Sequence, residues 1–272
     1  MKKIIPVAAL TAVLLSSCAN SYNVEGSSSV SSLDGSKLYL KTVKDNELHS
    51  LDSCAVIHGE FHFNGILDTV RMATLFMDNE GLMPVVLEQG NIMINIDNTG
   101  QKVSGTPLNE KLYVFLDKHK QLANRMDELS HRQAQMMLDG IDEDSINDTL
   151  LREAASITEA EDKLVTTFIS DNFDNVLGPG VFMMITSGFK YPILTPQIEQ
   201  IMSKATEKFK NNPYVKEYYR TASENEARMQ GFDVPPSGDS QPQGETVPAA
   251  DSPAAKQSAD TALLDNNANF SH

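Results

Sequence analysis

Tryptophan is absent from this chain, and cysteine occurs only at positions 18 and 54 of 272 residues. There is no Cys-x-x-C pair, so the chain cannot run a dithiol cycle by itself. Positive charge is scarce: 22 Lys and Arg stand against 37 Asp and Glu, a formal charge of −15. Without a Lys/Arg cluster there is no footprint for nucleic acid or for electrostatic docking on anionic lipid. An aromatic content of 7% gives no stacking platform for single strands. No apolar run reaches the roughly 20 residues that a membrane-spanning helix needs. Gly-rich phosphate loops, G-x-S-x-G elbows and H-E-x-x-H helices are missing as well. No catalytic constellation, cofactor or metal site is therefore expected.

What is present begins with a leader. Lys2 and Lys3 precede an apolar stretch from Ile4 to Leu15, interrupted only by Pro6 and Thr11, and small residues lead into Cys18. This is the layout of a secretory signal over residues 1–17. The cysteine directly after Leu15-Ser16-Ser17 resembles the bacterial lipoprotein box. That resemblance implies that Cys18 receives a diacylglyceryl thioether, becomes the mature N-terminus and is then N-acylated. Several acyl chains, at about 0.8 kcal/mol per buried CH2, meet the two-signal requirement for stable anchoring. The expected partners are thus a lipid bilayer, through Cys18, and an envelope protein or ligand, with no nucleic acid. The alternative is a plain cleaved signal with an incidental cysteine. Once Cys18 is acylated, Cys54 has no partner for an intramolecular disulfide.

Composition and periodicity divide the rest. Residues 18–35 carry the lipidated end, with a Ser-rich stretch that reads as a flexible spacer or as a first strand from Tyr22 with a loop behind it. Over residues 36–105 the pattern has period two, as in Leu38/Leu40, Phe61/Phe63 and Ile92/Ile94/Ile96. Turn signals such as Asp34-Gly35, His58-Gly59 and Asn98-Thr-Gly100 fall between the runs. This predicts an antiparallel β-sandwich or small barrel. At Thr106-Pro107, a helix cap followed by proline, the period changes to three and four. Leu108, Leu112, Phe115, Leu116, Leu122, Met126 and Leu129 form one stripe, broken at Asp139-Gly140. Further helix starts fall near Asp144-Ser145, at Thr195-Pro196 and at Asn212-Pro213. Four or five helices over 106–230 after a run of strands make the chain α+β. Residues 231–272 are rich in Pro, Ser, Ala and acids and are expected to be a disordered tail.

Several residues suggest chemistry and are better explained without it. Cys54 has no Lys, Arg or His within three positions and reads as a buried, inert thiol. His58 and His62 are four apart, but around a turn and a strand their side chains diverge. Glu128-Leu-Ser-His131 matches one half of a di-iron motif whose second copy is missing, so a solvated helix face is expected. Asp142, Asp144, Asp148 and Glu153 fit positions 1, 3, 7 and 12 of a calcium loop, but Asn147 stands where glycine is required. Acids favouring a helix N-terminus account for them. Asp68, Asp144, Asp148 and Asp260 each open a short triplet of the O-glycosylation type. Among these, Thr261 in the tail is the position to test.

The β region resembles the domain of unknown function 4369 of Bacteroidetes lipoproteins. The resemblance rests on Tyr22-Asn-Val-Glu-Gly26, on Asp34 to Leu40, and on Asp52-Ser53 leading into Gly59-Glu-Phe-His-Phe-Asn-Gly65. Val86-Leu-Glu-Gln-Gly90 with Ile92-Met-Ile94, and Val103-Ser-Gly-Thr-Pro-Leu-Asn109, complete it. Asn212 to Pro235 resembles the connector into the thioredoxin-like domain that usually follows, and here the tail takes that domain's place. The resemblance implies a non-catalytic sensing or docking module without its redox half. A second implication is an accessory role beside a separate thiol–disulfide oxidoreductase. No run of acids follows Cys18, which favours the periplasmic face of the outer membrane.

Overall fold

The computed structural model describes residues 21–44 and 47–231. The signal 1–17, Cys18, Thr261 and the tail beyond Gly231 lie outside the described residues. The chain forms two compact units, one of 21–41 with Ser50–Glu110 and the other of Thr42–His49 with 111–231.

The first unit takes in strands β1 (Ser21–Ser28), β2 (Lys37–Lys44), β3 (Glu47–Ala55), β4 (Glu60–Ile66), β5 (Arg71–Met77), β6 (Glu80–Leu87), β7 (Gly90–Asp97) and β8 (Gly100–Ser104), except for 42–44 of β2 and 47–49 of β3, which fall in the second. They form two open four-stranded sheets, β4-β1-β7-β8 and β3-β2-β5-β6, and no closed barrel. Alternate residues are buried on each: Val24, Phe61, Phe63, Ile92, Ile94 and Val103 on the first, Leu38, Leu40, Leu75 and Val85 on the second. Both inner faces supply the core of this unit, as in a sandwich. Pro84 sits on β6, an edge strand, where a missing N–H is tolerated.

Of the two readings of residues 18–35, a first strand from Tyr22 is the one that forms, and it is central in its sheet, with alternating Tyr22, Val24 and Gly26 buried. One expectation changes. The sheet holding it is mixed: β1 runs antiparallel to β4 and parallel to β7. Period two tells which face a residue takes and nothing of strand direction. The His58-Gly59 turn does form, with both residues at positive φ, 54° and 77°, as a two-residue I′-type hairpin requires.

The remaining elements are α1 (Pro107–Leu138), α2 (Glu143–Ser170), α3 (Leu177–Thr186), α4 (Pro196–Lys204), α5 (Glu207–Lys210) and α6 (Pro213–Met229). Six helices stand among the described residues, one more than expected. The segment through Phe209 is broken at Ala205, and Thr206 caps a separate turn by accepting from Phe209 N. Gly140, at φ 74°, ends α1: Ile141 N donates to Met136 O and Gly140 N to Met137 O. α1 and α2 pack as antiparallel neighbours, with Phe115 stacked on Phe168 at 4.3 Å and Arg132 paired with Glu153.

Asp142 caps α2 by accepting from Ser145 N at 3.0 Å. Bonds from Ser145 hold its carboxyl below the usual range. This contribution to stability is therefore present above the unfolded value of about 3.9 and lost as pH falls through the lower folded value. Thermal melts of wild type and Asp142→Ala should differ at neutral pH, and the gap should begin to close only as pH falls below about 4 and vanish below the lowered folded value; a gap independent of pH would contradict the cap.

Candidate functional site

The residues singled out for chemistry are dispersed. Cys54 lies on β3 as a free thiol, half-buried rather than fully enclosed. Burial pushes its pKa up, a hydrogen bond from the His62 backbone opposes the rise, and Asp52 adds to it. This is the opposite of thiolate activation. His58 is exposed in the turn, and His62 is exposed on β4 opposite Glu25. Glu128 and His131 are both on the exposed side of α1. The acidic group is spent on structure: Asp142 caps α2, Asp148 pairs with Arg152 and Glu153 with Arg132. Among the described residues no three His, Cys, Asp or Glu come together as a metal would need.

The inward-facing residues among those that carry the resemblance serve the fold. Tyr22 stands opposite Gly65, and Gly26 opposite Phe61, across the β1–β4 pair. A Cβ on Gly26 would lie 2.0 Å from a Phe61 ring carbon, and one on Gly65 2.7 Å from the Tyr22 hydroxyl. Each ring thus lies over the glycine facing it, and the two pairs lock the register.

A second group joins β6 to α1. Asn109, fully buried, accepts from Val86 N at 2.8 Å and donates to Val86 O at 2.7 Å and to Thr106 Oγ1 at 2.8 Å. Glu88 accepts from Leu108 N at 2.8 Å and Asn109 N at 3.1 Å. The cap of α1 is therefore Glu88, some twenty residues earlier, with the Thr106 hydroxyl turned to Asn109 instead. A carboxylate at a helix N-terminus answers both the orphan N–H groups and the dipole.

Two outer sheet faces remain. On β3-β2-β5-β6, Tyr39 stands opposite Phe76, and Lys41 Nζ lies 5.3 Å and 4.6 Å from their ring centres. Lys37 Nζ lies 5.2 Å from the Tyr39 ring. On β4-β1-β7-β8 the outer face carries Asn23, Glu25, Ser27, His62, Asn64, Asn91, Met93 and Asn95, all exposed except the half-buried Asn23. The Asn91-Ile-Met-Ile-Asn95 alternation marked this face as outward in the sequence, but its assembly across strands was not legible there. In the helical unit, His119 Nε2 and Glu161 Oε1 are 3.0 Å apart. Beside them a shallow cleft of about 430 Å³ is lined by Lys118, Lys163, Leu164 and Phe168, among others.

Residues 22–112 match the family model described as Domain of unknown function (DUF4369). Comparison with curated proteins gives no match. No helix among the described residues is long and apolar enough to cross a membrane.

Proposed function

Since residues 22–112 are a DUF4369 domain, we propose that the chain is a lipid-anchored cell-envelope protein that works as a non-catalytic binding module. Acylated Cys18 holds it at the outer membrane, facing the periplasm. One observation carries the binding reading. Within the motifs that carry the resemblance, Tyr22, Gly26, Phe61, Gly65 and Glu88 are committed to ring–glycine pairs and a helix cap, whereas Asn23, Glu25, His62, Asn64 and Met93 lie on the outer face of β4-β1-β7-β8, which is polar, open and little engaged. The anchoring reading rests on the leader and Leu15-Ser16-Ser17-Cys18.

Anchoring is tested by fractionation and intact-mass analysis. Wild type should sediment with membranes and carry a diacylglyceryl and an N-acyl group on Cys18; Cys18→Ala should be released into the soluble fraction. An unmodified amino terminus on the mature chain would overturn it. The half-exposed Cys54 supports a second reading, an accessory that meets a separate thiol–disulfide oxidoreductase. That reading requires a mixed disulfide trapped at Cys54, which the raised thiol pKa makes slow at neutral pH.

A further inference from the structure

Strands disfavour asparagine. Four asparagines nevertheless occupy the outer face of three adjacent strands: Asn23 on β1, Asn64 on β4, Asn91 and Asn95 on β7. Register sets Asn23 beside Asn64 on one side and Asn91 on the other, and Ser27 beside Asn95. None of the four lies in a turn or at a helix cap, where an amide would serve the backbone. A local preference broken four times on one face, for only a few exposed side-chain hydrogen bonds in return, marks a surface kept for another purpose.

The amides are only partly engaged. Asn23 Nδ2 donates to Glu25 Oε1 at 3.0 Å and reaches Asn91 Oδ1 at 3.4 Å, and Asn95 Nδ2 reaches Ser27 Oγ at 3.4 Å. Asn64 makes no side-chain hydrogen bond among the described residues. The other outer face is different, because there Lys41 lies against both Tyr39 and Phe76 and donates to Asp78 O at 3.3 Å. Its rings and cations answer each other.

We propose that the Asn23–Asn64–Asn91–Asn95 face binds a neutral polyhydroxylated chain, the chemistry of an uncharged glycan. This names the ligand class for the binding module proposed above and rests on that reading. Each carboxamide offers an acceptor and two donors in one plane, the pattern that neighbouring sugar hydroxyls satisfy. Adjacent strands repeat that pattern about every 4.8 Å, close to the length of one hexose unit. Met93, 56% exposed and opposite Glu25, supplies an apolar patch for the C–H face of a ring. Charge on the face is mixed, with Glu25, Glu60, His62 and Lys102, so it draws neither a polyanion nor a polycation.

The test uses the full chain, 15N-labelled in detergent, titrated with maltohexaose, cellohexaose and chitohexaose while the asparagine side-chain amide signals are followed. At least one hexasaccharide should shift the Asn23, Asn64 and Asn91 amides saturably. Asn64→Thr and Asn91→Thr should each weaken that binding about tenfold. Threonine is a better strand former, so the melting temperature should hold or rise while binding falls, which misfolding could not produce. No saturable shift with any of the three, or shifts indifferent to the threonine variants, would overturn the assignment. Binding confined to the acidic hexamer hexagalacturonate would overturn it as well and point to Lys37 and Lys41. If the hexasaccharides fail while a purified envelope protein still crosslinks to wild type, the glycan assignment falls and the binding-module reading stands.

Discussion

Gly26→Ala is expected to destabilise the β unit by about 3 kcal/mol, at the upper end of what overpacking a filled site costs. The new Cβ would sit 2.0 Å from the Phe61 ring, which is itself buried beside Phe63 at a centroid distance of 6.2 Å. The ring has nowhere to go without opening the β1–β4 pair. Denaturant unfolding should show the midpoint falling with little change in slope. Gly100→Ala provides the comparison, since no heavy atom lies within 4 Å of a Cβ there; its effect should stay within about 0.5 kcal/mol. In the double variant Gly26→Ala with Phe61→Leu, the smaller side chain relieves the clash. The combined loss should then be smaller than the sum of the single losses. Equal, mild effects at Gly26 and Gly100 would refute the ring–glycine account.

Asn109→Ala should cost about as much, by the opposite mechanism. Alanine leaves no clash, but it strips partners from the N–H and C=O of Val86, both of which sit in a site closed to water. Each orphaned group costs roughly 1–3 kcal/mol, for a total of about 3 kcal/mol or more. Asn109→Asp should not rescue, because a carboxylate keeps the acceptor for Val86 N but loses the donor for Val86 O. The readout is hydrogen exchange: the Val86 amide, protected in wild type, should exchange by local opening in Asn109→Ala while the Ile94 amide stays protected. Val86 protection equal to wild type would mean that the network is incidental.

These two results separate what local sequence dictates from what it leaves open. Thr195-Pro196 and Asn212-Pro213 start helices, Gly140 ends one, and His58-Gly59 closes a hairpin. Such signals act within a few residues, so they are legible without a fold. The α1 cap is a counterexample, because Thr106-Pro107 looks self-sufficient and the structure uses Glu88 instead. The reading of Cys54 as buried missed its half-exposure for a related reason. An edge strand in β3-β2-β5-β6 is covered on one side only, and edge position is a property of sheet order.

The amino-acid order by itself determined the acidic balance, the period-two strands and the period-3.6 helices, because side-chain chemistry and backbone propensity are short-ranged. Only the tertiary structure decided that β1 enters between β4 and β7, parallel to one and antiparallel to the other. It alone set Gly26 beneath Phe61, brought Glu88 to the start of α1, and lined up asparagines from three strands on one face. Those facts depend on pairings between residues tens of positions apart, and no local preference encodes the choice of partner strand.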